Sequence, residues 1–311
     1  MIEVDNLHKS FGAFEAVKGV SFRLQPGEVL GFIGPNGAGK STTMKMMAGF
    51  LAPTLGTVSM FGQDVWAEPL AAKAAIGYLP EGAPAYGDMR TLAFLKFIAA
   101  VRGIPKSRRA AAVDAMVAAL ELESVLSKRI EQLSKGFKRR VALAQALIHD
   151  PRVLILDEPT DGLDPNQKHQ VRRLIQNLSD DKIVIISTHI LEEVSALCSR
   201  VIVIAGGRLV ADATPAELAA RSVYHGAVRV RCADPRVPTA RLAQLPGVER
   251  VEWDAAGEFL VVVPTPGKTL LGEVKQCLDQ AGIQAEEMYV EQGHLDDVFR
   301  SLTHTDSVEA A

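Results

Sequence analysis

The segment GPNGAGKS, Gly34 to Ser41, constrains this chain more than any other feature. It fits the pattern G-x-x-x-x-G-K-[ST]. Glycines at these places let backbone N–H groups turn inward around phosphate oxygens. The helix that must follow adds its positive amino-terminal end. GEVLGFIG (Gly27 to Gly34) reads as a buried strand entering the loop, and STTMKMMAGF (Ser41 to Phe50) as the helix leaving it, with Gly49 as its stop. A chance match in such a chain is on the order of one in a hundred. Gly34, Pro35, Asn36, Gly37, Ala38, Gly39, Lys40, Ser41 and Thr42 are therefore candidate nucleotide-binding residues. Lys40 is expected to reach the β- and γ-phosphates, and the Ser41 hydroxyl to ligate Mg²⁺.

Strand-like and helix-like signals alternate over the first ~215 residues, implying a mainly parallel sheet with helices around it. VLIL (Val153 to Leu156) and IVII (Ile183 to Ile186) are short β-branched runs suited to strands buried on both faces. AAVDAMVAALEL (Ala111 to Leu122) has helical apolar spacing. The character changes after ATPAELAARS (Ala213 to Ser222). VRVRC, RLAQL, VERVEW, FLVVV, LLGEVKQCLDQAG and MYV then read β-α-β-β-α-β over Val228 to Val290, a ferredoxin-like pattern. HLDDVFRSLT reads as a closing helix and TDSVEAA as a frayed tail. The expected organisation is a nucleotide-binding domain over 1–220, with a helical part over about 82–150, and a small α+β domain over 221–311.

The 311 residues suit about two domains at roughly 150 residues each. With 34 Lys+Arg against 37 Asp+Glu, a generally basic nucleic-acid binder is disfavoured, and no nucleic acid is expected as a partner. Cys198, Cys232 and Cys277 lie far apart and form neither a disulfide framework nor a zinc spacing. MIEVDNLHKSFG lacks the layout of a signal peptide. No stretch approaches the ~18 apolar residues of a membrane span. A soluble protein that reaches a membrane by docking is expected.

VLILDEPT (Val153 to Thr160) is an apolar strand ending in two acids. Acids there repel unless a cation or substrate occupies that end. Asp157 is the expected Mg²⁺ partner, and Glu158 can face the attacking water.

With these motifs in order, the sequence resembles an ATP-binding-cassette (ABC) transporter ATPase over roughly residues 1 to 220. LSKGFKRR (Leu133 to Arg140) stands where that family has its LSGGQ signature. DGLDP (Asp161 to Pro165) looks like the D-loop, STHI (Ser187 to Ile190) like the switch-histidine segment, and YLPE (Tyr78 to Glu81) like the Q-loop. The resemblance implies a P-loop NTPase fold with an antiparallel amino-terminal β part and a helical signature subdomain. It implies ATP and Mg²⁺ as ligands, Phe11 stacking on adenine, Glu81 as a further metal ligand, and His189 positioning Glu158 and the water. It also implies that Ser134 and Gly136 of one chain face the phosphates bound by a second copy. The bland alternatives are core packing for Phe11, a strand-end histidine for His189 and an N-cap for Ser134. Arg139 and Arg140 are expected to face solvent or acids.

Lys135 replaces a signature glycine, Phe137 the glutamine, and Glu81 the usual Q-loop glutamine. LSKG and YLPE together, with the carboxy-terminal extension, resemble the branch serving export-type permeases. The resemblance thus implies a head-to-tail homodimer on the cytoplasmic face of the inner membrane, working through a separate permease that docks near the segment after Glu81. The rivals are a non-transport cassette ATPase and a regulatory cassette. The chain lacks the long coiled coil, second cassette or zinc cysteines of the former, and it carries the Glu158 and His189 that a dead ATPase would lack.

Overall fold

The computed structural model describes residues 1–82, 85–232 and 238–304. It separates into two compact units, Met1–Thr214 and Pro215–Ser301.

The first unit opens with the hairpin β1 (Ile2–Phe11) and β2 (Phe14–Leu24), then β3 (Val29–Ile33) and α1 (Lys40–Met47). β4 (Leu55–Met60), β5 (Gln63–Asp64), α2 (Pro69–Ala75) and β6 (Ile76–Leu79) follow. α3 (Thr91–Val101), α4 (Arg109–Ala119) and α5 (Lys135–Leu147) pack on one another. β7 (Val153–Asp157), α6 (Pro165–Leu178), β8 (Ile183–Ser187), α7 (Leu191–Leu197), β9 (Arg200–Ala205) and β10 (Arg208–Ala213) complete it. One antiparallel sheet runs β2-β1-β4-β5, and a second sheet runs β10-β9-β3-β8-β7-β6. The second is parallel except for its edge strand β10. β3, β7 and β8 are buried at all five positions, as uninterrupted apolar strands must be when both faces are covered. Their apolar side chains share one core with β1, β2 and the methionines of α1.

Two helix ends show how local sequence acts. α1 stops at Gly49, whose φ of +69° sends its N–H to Met46 O and that of Phe50 to Lys45 O. α4 was expected to run to Leu122 but stops at Ala119. There Glu121, at φ +50°, takes the left-handed position that glycine usually fills, and the Leu122 N–H returns to Val117 O. The turn lets Leu120 and Leu122 both be buried.

The second unit contains α8 (Pro215–Ala219), β11 (Val228–Arg231), α9 (Thr239–Leu242), β12 (Val248–Trp253), β13 (Leu260–Pro264), α10 (Leu271–Gln280), β14 (Glu287–Val290) and α11 (Leu295–His304). Its antiparallel sheet has the order β12-β13-β11-β14, the ferredoxin-like arrangement. Leu260 and Val262 pack with Val274 and Leu278 of α10, while Val261 and Val263 pack with Ala227 and Tyr224. The expected frayed tail, Thr305 to Ala311, lies outside the described residues. Among the described residues no helix is long and apolar enough to cross a membrane.

Candidate functional site

β3 delivers the chain into the loop 34–39, and the loop ends on α1. Gly34 is obligatory because a Cβ there would lie 2.2 Å from Ile204 O. Gly39, at φ +103°, caps α1 in a conformation that side chains resist, and its Cβ would meet Ala16 O at 2.6 Å. Pro35, Asn36 and Gly37 are exposed, whereas Ala38 is buried. Lys40 is 9% exposed, and its Nζ donates to Gly34 O (2.7 Å) and Pro35 O (3.0 Å). Burial lowers its pKa, against the fields of Asp157, Glu158 and Glu81.

A cavity of about 420 Å³ opens over this loop. Asn36, Gly37, Gly39, Lys40, Ser41 and Thr42 form one wall, and Glu81, Asp157 and Glu158 another. Phe11 and Phe14 close a third side. These rings are cross-strand partners at the tip of the β1–β2 hairpin, 51% and 64% exposed, so Phe11 is not core. Sequence reasoning missed Phe14, although its pairing follows from a two-residue turn after Phe11.

Asp157 and Glu158 differ sharply. Asp157 ends β7, is 2% exposed, and accepts from Ser187 Oγ through Oδ1. Its other oxygen, Oδ2, is buried with no hydrogen-bond partner. Glu158 has left the strand with φ +51°, costing about 1–2 kcal/mol for a non-glycine residue. Its N–H is held by Ser187 O (3.0 Å) and Oγ (3.2 Å). The His189 Nδ1–H donates to Glu158 Oε1 at 2.9 Å, because an ionised carboxylate only accepts. Behind this pair, buried Glu193 accepts from Thr160 Oγ1 (2.7 Å) and Thr188 Oγ1 (3.3 Å), tying the chain after the acids to the chain before His189. No sequence signal pointed to Glu193.

An orphaned buried carboxylate oxygen is costly unless something accepts its charge. Asp157 Oδ2, the Ser41 hydroxyl and Glu81 are hard oxygen donors of the type Mg²⁺ takes. Among the described residues no group of three or more His, Cys, Asp or Glu could hold a metal alone. That fits an ion that draws its remaining ligands from phosphate and water.

The signature residues lie elsewhere. Ser134 caps α5, its Oγ accepting from Phe137 N at 3.3 Å, and is exposed. Gly136 is buried, and a Cβ there would meet Gln167 Oε1 at 2.9 Å. Neither lines the cavity. Lys135, the non-family residue, pairs with Asp161 at 2.8 Å and holds its carboxyl below the usual range. The expectation for Arg139 and Arg140 is corrected: both are 5% exposed and hold main-chain carbonyls. Arg140 donates to Leu120 O at 3.0 Å and covers the Phe137 ring at 4.3 Å. A buried arginine is affordable where several carbonyls converge, a condition the sequence does not display.

A phosphate loop facing an acidic strand end across a parallel sheet defines a P-loop NTPase cassette. The family profile described as "ABC transporter" matches residues 17–161. The Nod factor export ATP-binding protein I of Paraburkholderia xenovorans is 36% identical over 97% of this chain and 96% of its own length. The probable multidrug ABC transporter ATP-binding protein YbhF of Escherichia coli is 37% identical over 71% of this chain and 38% of its own length. A solved structure titled "Structure of ATP binding subunit of ABC transporter" superposes with a TM-score of 0.66 at 28% identity, covering 70% of this chain and 91% of that one. The chain belongs to the ABC transporter family, as an ATP-binding subunit.

Proposed function

We propose that this chain hydrolyses ATP with Mg²⁺ as one half of a head-to-tail homodimer and so drives export through a separate permease at the cytoplasmic face of the membrane. One observation carries the reading: Lys40, Asp157 with its unpartnered oxygen, and Glu158, whose carboxylate His189 holds, line one cavity, while Ser134 and Gly136 stand outside it. The loop amides and Lys40 bind the triphosphate, and Phe11 takes the base on its π-face. Ser41, Asp157 and Glu81 hold Mg²⁺, which when bound neutralises phosphate charge. Glu158 orients the attacking water and accepts its proton, and His189 fixes the carboxylate. The exposed Ser134 completes the site of a second copy, which excludes water when the two close.

Export is supported by the relatives, whose names state export and multidrug transport. Permease docking is supported by exposed apolar residues after Glu81. Tyr86 is 58% exposed and packs edge-on against Phe97, itself 40% exposed. Ala83 and Pro84 of the expected docking segment lie outside the described residues.

Glu158→Gln should slow phosphate release by about 100-fold or more while ATP still binds and the dimer persists. Hydrolysis at the parent rate would sink the assignment.

A further inference from the structure

Arg139 is the fifth residue of α5, and its guanidinium reaches two other segments of the site. Nη1 donates to Pro80 O at 3.2 Å, and Nη2 donates to Asp157 O and Glu158 O. Pro80 directly precedes Glu81. The other two carbonyls belong to the paired acids. Among the described residues Arg139 forms no direct ion pair, so its charge is balanced by these carbonyl dipoles and the nearby carboxylates. A planar fork of fixed donors is the side chain able to hold several carbonyls in one geometry.

The Glu158 main chain needs such holding. A left-handed non-glycine residue persists only where its surroundings fix it. Ser187 fixes its N–H, and its C=O accepts from Arg139 as well as from the Asp161 N–H at 3.1 Å. The same helix presents Ser134 at its cap, about 7.5 Å along the axis at 1.5 Å per residue.

We propose that Arg139 is a positioning residue: it links the signature helix, through main-chain carbonyls, to the placement of Glu158 and Glu81, so that engagement of Ser134 by a second copy is felt at the hydrolytic acid. This rests on the reading of Glu158 given above. The other link from the signature segment toward the acids is indirect: Lys135 pairs with Asp161 at 2.8 Å, and the Asp161 N–H reaches Glu158 O.

The test uses the full chain with Arg139→Met and Arg139→Lys, beside Arg102→Met. Arg102 likewise holds two carbonyls, Lys73 O (2.8 Å) and Ile76 O (3.3 Å), but none at the acids. Calorimetry reads ATP affinity, phosphate release reads kcat, and a melt reads stability. Arg139→Met should lower kcat by about 100-fold, the scale of a misplaced catalytic group. Its ATP affinity should stay within about threefold, and Arg139→Lys should fall between it and the parent. Arg102→Met should melt earlier yet keep both quantities within about threefold. The proposal is overturned if Arg139→Met keeps kcat within that range, or if kcat and affinity fall together by one factor. Should Arg139→Met not fold, Arg139→Lys decides: parent-like kcat overturns the proposal. Glu158→Gln runs alongside. If it hydrolyses ATP normally, the underlying reading fails; if it is inactive and Arg139→Met is active, only this inference fails.

Discussion

Among the described residues of Met1–Thr214 seven buried side-chain nitrogen or oxygen atoms have no hydrogen-bond partner, Asp157 Oδ2, Arg139 Nε and His149 Nδ1 among them. Among the described residues of Pro215–Ser301 there is none. That second unit instead pairs charges on its sheet: Arg229 with Glu291 at 3.0 Å and Arg231 with Glu287 at 2.8 Å between neighbouring segments, and Arg250 with Glu252 at 3.0 Å along β12. Unpaired buried polarity is expensive, and each such atom needs a reason, which for Asp157 Oδ2 is its place at the cavity. The contrast is between a unit that keeps buried polar atoms unpaired, Asp157 Oδ2 at the cavity among them, and one that leaves none so among its described residues.

Two glycines test that contrast most severely. A Cβ on Gly34 would lie 2.2 Å from Ile204 O, and one on Gly293 2.1 Å from Ala219 O. Each Gly→Ala change should cost about 3 kcal/mol through equivalent crowding. Only Gly34→Ala should also abolish ATP binding in the protein that remains folded, by titration calorimetry. Loss of ATP binding in folded Gly293→Ala would break the contrast.

His149 gives a smaller effect. Its Nε2–H donates to Ile76 O at 3.1 Å, leaving Nδ1 buried without a partner. Burial, then the Arg102 charge, pushes its pKa down to about 4 from 6.5. The unfolded chain therefore takes up the proton first as pH falls. Stability should be intact above pH 6.5 and decline toward pH 4, by on the order of 3 kcal/mol at most. His149→Gln should flatten that limb in melts run across the range. An unchanged slope would remove His149 as its source.

The smallest effect belongs to the second unit. Arg231→Gln breaks a pair with Glu287 whose side chains are 44% and 43% exposed. Unfolding by denaturant should shift by less than about 1 kcal/mol, with phosphate release unchanged. A larger shift would mean that the charge ladder stabilises that sheet well beyond ordinary surface pairs.

Much of this was legible in the chain. The parallel strands announced themselves as apolar runs, and Gly49 marked the end of α1 because glycine advertises the left-handed cap it supplies. Glu121 makes the same cap at the end of α4 without advertising it. The loop and the acids follow from spacing within one segment. Phe14 was missed although its partner Phe11 is only a turn away, whereas Arg139 and Glu193 escaped because their meaning depends on partners far along the chain. Arg139 lies 59 positions from Pro80, and Glu193 lies 33 from Thr160. In the second unit the β-α-β-β-α-β order predicted the observed sheet, but α9 spans only Thr239–Leu242. It starts before the expected RLAQL and ends within it, because Pro238 opens it with carbonyl bonds to Arg241 and Leu242.

The left-handed turn at Glu158 makes the order of two neighbouring letters matter. Writing Glu-Asp for Asp-Glu at 157–158 keeps the net charge at −3 and alters no tally of residue types. Yet it would press the longer side chain into the place beside Ser187 and hold the shorter one back from His189. A doubly exchanged variant is thus a rearranged molecule that bulk charge or composition would report as unchanged.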